Sequence, residues 1–181
     1  MVTRRTTALR RFGTLGVAVI VAVASLMLGA TPASAAGDTH YENMGNPGWC
    51  LDGDGSEAYL HRCGHGEIDF QMWTVGDAGY MKVKHTETGA CLKALAWPTD
   101  RVGLGYCTDA GTSWYAAGKN GWVKFVSDTW GAGRCLMPTG TWQGGLSKYD
   151  LIVDWCDPNN HVADPRDVNG NVPNWLAWRR F

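Results

Sequence analysis

Apolar and polar residues alternate with a period of two in several short runs, for example in the Trp-Val-Lys-Phe-Val sequence of residues 122–126. This period is typical of strands that bury one face. Asp-Gly and Asn-Gly pairs, which favour turns, separate such runs, and 24 glycines are spread along the chain. No stretch beyond residue 35 has helical periodicity of useful length. The pattern therefore predicts an all-β domain built from many short strands.

The strands are predicted to fall into three repeats, each marked by a pair of cysteines. In every pair the first cysteine is followed by leucine. These dipeptides are Cys50-Leu51, Cys91-Leu92 and Cys135-Leu136. Similar strand-forming sequences, residues 79–84 and 121–126, lead into the second and third dipeptides. The starts are roughly forty residues apart, a spacing typical of repeated units. We therefore expect three copies of a four-strand unit, at about residues 41–78, 79–120 and 121–181.

The repeats also select a disulfide pattern. All six cysteines lie beyond residue 35, and an even number in an exported chain favours disulfides over redox use. Six cysteines allow fifteen pairings, but the recurrence of one hairpin selects a single one. The expected bonds are Cys50–Cys63, Cys91–Cys107 and Cys135–Cys156. Each closed loop should contribute about 3 kcal/mol to stability on the chain-entropy estimate. A zinc site is disfavoured because short Cys-x-x-Cys spacing is absent.

The first 35 residues have the composition of a secretory signal. Four arginines precede an apolar run at residues 15–28, and an Ala-Ser-Ala sequence that suits a signal peptidase follows at residues 33–35. A retained membrane anchor is the alternative, but the run is short beside the about twenty residues that span a bilayer. The paired arginines raise a twin-arginine route, although neither pair lies in the full pattern of that route. We expect cleavage near Ala35 and secretion to the extracellular space.

Removal of this segment changes the charge of the protein. The full chain has sixteen basic and seventeen acidic residues. The signal takes four arginines and no acidic residue, so twelve basic residues remain against seventeen acidic ones, a net charge of −5. Such a chain lacks the broad basic surface that nucleic acids and anionic membranes require. Residues 36–181 suit one domain with a sizeable core.

The order of residues within the repeats resembles that of the ricin B-type lectins, a β-trefoil family with Gln-x-Trp repeats. In that family each of three repeats begins with Cys-Leu-Asp, contains a second cysteine and closes with Gln-x-Trp. The first repeat here has all three parts, which are Cys50-Leu51-Asp52, Cys63 and Gln71-Met72-Trp73. The later repeats are degenerate and close with Ser113-Trp114 and with the Trp-Leu-Ala-Trp sequence of residues 175–178. The resemblance implies a β-trefoil with one disulfide in each repeat.

The resemblance also implies carbohydrate binding, by an Asp, an aromatic side chain and an Asn-Gln pair. A carboxylate and an amide hold sugar hydroxyls while an aromatic face stacks on the pyranose. In the first repeat Asp52 and Gln71 match, and His61 stands in for the aromatic residue. Phe70 occupies the place of the Asn. The alternative interpretation is structural, with Gln71 in the core and Asp52 capping a turn.

The second and third repeats depart further from the family pattern. Lys93 and Met137 replace the Asp, and Gly105 and Asp154 replace the aromatic residue. We therefore expect an ordinary sugar pocket in the first repeat only.

Three tryptophans in turn-rich stretches offer a different binding surface. Trp97, Trp130 and Trp142 lie where strand alternation does not dictate burial. A row of such rings suits a polysaccharide chain or a protein partner. The alternative is that these rings cover the core from the loops. Residues 157–174 have no apolar face and are interpreted as a long loop inserted in the third repeat.

The sequence contains no catalytic or metal-binding arrangement that we can interpret. The five histidines lack metal-ligand spacing, and no nucleophile elbow or phosphate loop is present. Residues 52–56 resemble the beginning of a calcium loop, but Glu57 stands where the required glycine would be. We expect a protein without cofactor or enzymatic activity.

Two functions follow from these observations. The first is a secreted lectin-like protein that binds a saccharide or polysaccharide through the first repeat. The alternative is a secreted protein-interaction or inhibitor module that keeps the scaffold but has lost sugar binding. The degenerate second and third repeats favour the alternative, whereas Asp52 and Gln71 favour the lectin.

Overall fold

Strands follow one another along the chain with little other secondary structure. The computed structural model describes residues 38–64, 68–75, 79–95, 99–119, 121–129, 133–143, 148–156 and 172–180. The strands are β1 Asp38–Thr39, β2 Tyr41–Asn43, β3 Trp49–Asp54, β4 Glu57–Arg62, β5 Trp73–Val75, β6 Gly79–Met81, β7 Val83–His85, β8 Cys91–Ala94, β9 Val102–Gly105, β10 Trp114–Lys119, β11 Trp122–Ser127, β12 Arg134–Gln143, β13 Lys148–Trp155 and β14 Trp178–Arg180. Two short 3₁₀ helices, Ile68–Gln71 and Asn174–Leu176, complete the regular structure.

Six strand positions close into a barrel. β1 and β2 lie in one line, interrupted at His40, and β6 and β7 lie in another, interrupted at Lys82. The first line pairs with β5 and β14, and the second pairs with β5 and β10. β11 completes the ring by pairing with both β10 and β14. Every position of the ring therefore has two antiparallel neighbours, as barrel closure requires.

The remaining strands form three hairpins that meet one another. The hairpins are β3–β4, β8–β9 and β12–β13, one from each repeat. Glu57 pairs with Gly103, and Tyr59 pairs with Asp150, so the first hairpin touches both others. Gly103 is needed here, because a Cβ at this residue would lie 2.7 Å from the carbonyl oxygen of Ser56. A six-stranded barrel joined to three hairpins is a β-trefoil, which confirms the predicted fold.

Three buried tryptophans occupy equivalent places in the repeats. Trp73, Trp114 and Trp178 are each 0% exposed. Their indole N–H groups donate to the carbonyl oxygens of Leu51, Leu92 and Leu136, at 3.0, 2.8 and 3.4 Å respectively. Each bond ties the last strand of a repeat to the first strand of its hairpin. Trp178, and not the half-exposed Trp175, is therefore the closing tryptophan of the third repeat.

The disulfide prediction is confirmed in full. The bonds join Cys50 to Cys63, Cys91 to Cys107 and Cys135 to Cys156. Each bond staples the ends of one hairpin, and no free cysteine is present among the described residues.

The third repeat is longer than the other two. Its tryptophan follows the bonded leucine by 42 residues, compared with 22 in the first and second repeats. Most of the predicted loop, residues 157–171, lies outside the described residues, as does the predicted signal at residues 1–35. Val172 packs against the apolar cluster around Met137 and Leu176, and Asn174 begins the second 3₁₀ helix. The predicted loop therefore ends near Val172.

The β11 strand departs from the alternation that the sequence suggests. Lys124, Phe125, Val126 and Ser127 are all buried, including a lysine that is only 3% exposed. Phe125 packs in the main core, whereas Val126 packs in the second cluster around Met137. Both faces of the strand are therefore covered, which a period-two pattern does not anticipate.

Substitution of the closing tryptophans by phenylalanine tests the role of the indole bonds. We expect Trp73→Phe and Trp114→Phe each to lower the free energy of unfolding by about 1–3 kcal/mol, because a buried hydrogen bond is lost. Trp178→Phe should cost less, since its N–H to oxygen contact is the longest. Trp175→Phe is the exposed control and should change stability by less than about 0.5 kcal/mol. Denaturant unfolding provides the measurement, and equal losses in all four variants would contradict this role.

Candidate functional site

The first repeat brings Asp52, Tyr59, His61 and Gln71 together. Asp52 lies on β3 and is 2% exposed. Cross-strand pairing places Tyr59 of β4 opposite Asp52, and His61 opposite Cys50. His61 Nδ1 is 3.4 Å from Asp52 Oδ2, and the ring centroids of Tyr59 and His61 are 6.1 Å apart. Two rings therefore lie next to one buried carboxylate. The sequence predicted such a position for His61 but not for Tyr59.

Gln71 is fully buried and holds the carboxylate in position. Its Nε2 donates to Asp52 Oδ2 at 2.9 Å and to the carbonyl oxygen of Arg62 at 2.8 Å. Its Oε1 accepts from the backbone N–H of Gly64 at 2.9 Å. A glutamine amide has two N–H donors, and both are used here within the protein. Gln71 is therefore a positioning residue for Asp52, with no N–H left for a ligand.

The other oxygen of the Asp52 carboxylate is unsatisfied. Oδ1 is shielded from solvent and accepts no hydrogen bond from the described part of the chain. Burial raises the pKa of Asp52, while hydrogen bonds from Gln71 and His61 partly oppose that rise. A buried polar oxygen without a partner is costly. Oδ1 is therefore a buried acceptor without a hydrogen-bond partner among the described residues.

Tyr59 links this carboxylate to the third repeat. Lys148 Nζ lies 4.5 Å from the centroid of the Tyr59 ring and 2.6 Å from Glu57 Oε2. Burial raises the pKa of the Tyr59 phenol, and the Asp52 carboxylate raises it further. The phenol therefore keeps its proton at neutral pH and remains a hydrogen-bond donor.

The sequence predicted Asp52, His61 and Gln71 as site residues, but it did not point to Tyr59 or Lys148. A signal for Tyr59 was present, because a turn at residues 55–56 pairs Asp54 with Glu57 and then Asp52 with Tyr59. Lys148 comes from a distant hairpin, and no local pattern places it beside Tyr59. Phe70, which stands at the family's Asn position, stacks on His85 with ring centroids 6.0 Å apart.

The equivalent position in the second repeat is ionic. Lys93 replaces the Asp, and its Nζ forms a salt bridge with Asp109 Oδ2 at 2.8 Å. Thr112 occupies the place of Gln71, is fully buried, and accepts a hydrogen bond from Lys82 Nζ at 2.7 Å. Gly105, at the aromatic position, leaves room for the ion pair, since a Cβ there would lie 2.7 Å from Lys93 Cδ.

The equivalent position in the third repeat is apolar. Met137 replaces the Asp, and Leu176 replaces the Gln. Both pack in one cluster with Val126 and the Cys135–Cys156 disulfide. Asp154, at the aromatic position, instead pairs with Arg134 at 2.9 Å. In this repeat the position equivalent to Asp52 therefore belongs to a small second hydrophobic core.

Several predicted features lie outside the described residues. The structure describes no side chain for Trp97, Trp130 or Trp142, so the surface that they were predicted to form stays a prediction. In the part of the chain that is described, no group of three or more His, Cys, Asp or Glu side chains is arranged to hold a metal ion. None of the described helices has the length and apolar character needed to span a membrane.

The closed barrel and the three hairpins define the chain as a β-trefoil. No family model matches it, and no curated protein matches it. Among solved structures, it is similar to the ricin B-like lectin of Macrolepiota procera in complex with lactose, with 14% identity and a TM-score of 0.58, covering 83% of this chain and 98% of the lectin. It is also similar to the designed threefold-symmetric protein ThreeFoil, with 16% identity, a TM-score of 0.55, and coverage of 79% and 96%.

A bacterial toxin shares the same architecture. The Haemophilus ducreyi cytolethal distending toxin has 13% identity and a TM-score of 0.56, covering 84% of this chain and 85% of that one. At these identities the likeness concerns the fold alone.

The raised pKa of Asp52 predicts a pH dependence of stability. An acid whose pKa is higher in the folded state stabilises the fold below its ordinary pKa of 3.8, and that contribution is lost as pH rises through the folded value. Asp52→Asn cannot ionise, so we expect it to be more stable than the parent at pH 7. The gain should shrink as pH falls towards 4. Denaturant unfolding at both pH values measures this difference.

Asp109 provides a control with the opposite sign. Its hydrogen bond with Lys93 lowers the pKa of its carboxyl group, so ionised Asp109 stabilises the fold above its ordinary pKa. Asp109→Asn should therefore reduce stability at pH 7, and the loss should diminish in acid. A loss of stability in Asp52→Asn at pH 7 would contradict the role assigned to burial.

Proposed function

We propose that this protein is a secreted, non-catalytic carbohydrate-binding module that uses the first repeat to bind a saccharide. The observation that carries the proposal is the buried Asp52 carboxylate, with one oxygen fixed by Gln71 and the other unsatisfied. Such a group favours a ligand that brings a hydroxyl to a site lined by rings. Disulfides in all three repeats fit the oxidising environment that secretion provides.

Each side chain has a distinct part in the proposed site. Asp52 Oδ1 accepts a hydrogen bond from a sugar hydroxyl, beside the protonated Tyr59 phenol, which already interacts with the Asp52 carboxylate. His61, whose side chain is 19% exposed, offers a ring face to the apolar C–H groups of the pyranose. Because Oδ1 is shielded from solvent, a hydroxyl reaches it only after the groups that cover it move. Binding therefore includes a local rearrangement around Asp52.

The fold supports this proposal. The Macrolepiota procera lectin, which shares the architecture, is a ricin B-like lectin in complex with lactose. Lactose is therefore a reasonable first ligand for this chain. With one ordinary pocket per chain, we expect weak binding, since avidity requires several linked sites.

A glycan array followed by lactose titration tests the proposal. We expect Asp52→Ala to weaken binding about ten- to a hundredfold, because hydrogen bonds to a charged group are worth about 1.5–3 kcal/mol. Asp54→Ala is the matched control, since it removes the same charge from an exposed residue of the same hairpin. Asp54→Ala should bind as the parent does.

The alternative site and the alternative function are separate outcomes of this experiment. Loss of binding only in a Trp97/Trp130/Trp142→Ala variant would move the saccharide site to the loops. No binding to any glycan, by folded protein without free thiols, would favour the protein-interaction module. That result would overturn the lectin proposal.

A further inference from the structure

The second repeat contains a groove that the first-repeat site does not use. The groove encloses about 830 Å³, within the range of ligand pockets. It lies against β8 and β9, where the second repeat has Lys93 in place of the Asp. Polar and aromatic side chains line it, principally Lys82, Lys84, Lys93, Tyr106, Thr88 and Asp109.

The charge of this groove is opposite to that of the chain as a whole. Three lysines and one aspartate line it, which leaves two excess positive charges. Beyond residue 35 the chain has twelve basic residues against seventeen acidic ones. A local concentration of cations on an acidic protein attracts anions to that place in particular.

The lysines keep hydrogen-bond donors for a ligand. An ammonium group has three N–H donors. Lys93 uses one on Asp109, at 2.8 Å, and Lys82 uses one on Thr112, at 2.7 Å. Lys84 is exposed and forms no ion pair with any described residue. The groove can therefore hold an oxyanion without breaking the contacts that order it.

Two further features shape the groove around these charges. Gly105 has no side chain, and a Cβ at that position would lie 2.7 Å from Lys93 Cδ and 2.9 Å from Asp109 Oδ2. The ion pair thus occupies the space where the family has an aromatic residue. Tyr106, the next residue, is 81% exposed, so its ring can stack on a sugar instead.

We propose that the groove of the second repeat binds a saccharide that carries an anionic group, either a carboxylate or a sulfate ester. The lysines hold the anion, and Tyr106 packs on a pyranose ring. Replacement of Asp by Lys has therefore inverted the ligand preference of the pocket rather than abolished it. The proposal rests on the proposed function only in taking the ligand to be a saccharide, because its residues are different.

Three related sugars test this proposal in calorimetric titrations. They are lactose, which is neutral, lactose 3′-sulfate, and 3′-sialyllactose, which carries a carboxylate. We expect at least one anionic sugar to bind about tenfold or more tightly than lactose, because charge-assisted hydrogen bonds are added. The anionic sugar that binds better identifies the group. Higher salt should weaken that binding and leave lactose binding unchanged.

Variants assign the binding to the groove. Lys93→Gln and Lys84→Gln should each reduce the affinity for the anionic sugar severalfold, and the double variant about tenfold or more. Lys84 is exposed, so Lys84→Gln is expected to fold normally. This variant therefore still tests the proposal if Lys93→Gln is unstable. Arg101→Gln is the matched control, since it removes the same charge from a side chain that is 64% exposed and outside the groove.

Each remaining outcome overturns this proposal in a recognisable way. Equal affinity for all three sugars would show that the groove does not recognise the anionic group. An equal loss of affinity in Arg101→Gln would show the same. Sodium sulfate that binds as tightly as the sugar ester would reveal an anion site without saccharide recognition. Lactose binding that depends on Asp52, together with anionic-sugar binding that does not depend on the lysines, would leave only the first-repeat site. Anionic binding that depends on the lysines would survive a failure of the Asp52 test.

Discussion

The rest of the structure depends on one hydrogen bond that is made three times, from a buried indole N–H to a leucine carbonyl. In the first repeat Trp73 binds the carbonyl oxygen of Leu51. Leu51 lies between Cys50, which is held by a disulfide, and Asp52, which is held by Gln71. The hydrogen bond to the Leu51 carbonyl therefore fixes the position of the Cys50 disulfide on one side and of the Asp52 carboxylate on the other. The same bond in the other repeats sets the positions of Lys93 and Met137.

The backbone frame is common to the three repeats, but the side chains at the position of Asp52 differ in each. The first buries a carboxylate against an amide, the second pairs a partly exposed ammonium with a carboxylate, and the third packs a thioether against a leucine. A buried charge requires a partner, whereas an apolar side chain requires only packing. The residue at the Asp position and the groups around it therefore differ together from repeat to repeat. Symmetry of the backbone therefore does not impose the same chemistry on the three positions.

The sequence predicted the parts of this fold that depend on spacing along the chain. The cysteine pairs and the all-β class follow from local order, and the structure confirms them. Asp52 and Gln71, which the sequence predicted as site residues, are in contact through a hydrogen bond. Tyr59 was missed because it is placed by cross-strand register, and Lys148 because it comes from another hairpin. The groove was missed because the lysines at 82, 84 and 93 converge only after folding. Long-range packing is what a single sequence does not show.

The closure of the barrel has a consequence for the order of events during synthesis. β14, at residues 178–180, pairs with β2 at residues 41–43, and Glu42 forms an ion pair with Arg179 across this seam. Strands that are more than 130 residues apart must therefore meet before the ring is complete. A nascent chain lacks this seam until its last strand has been made. The ring, and with it the tertiary structure, becomes complete only when β14 is available to pair with β2 and β11.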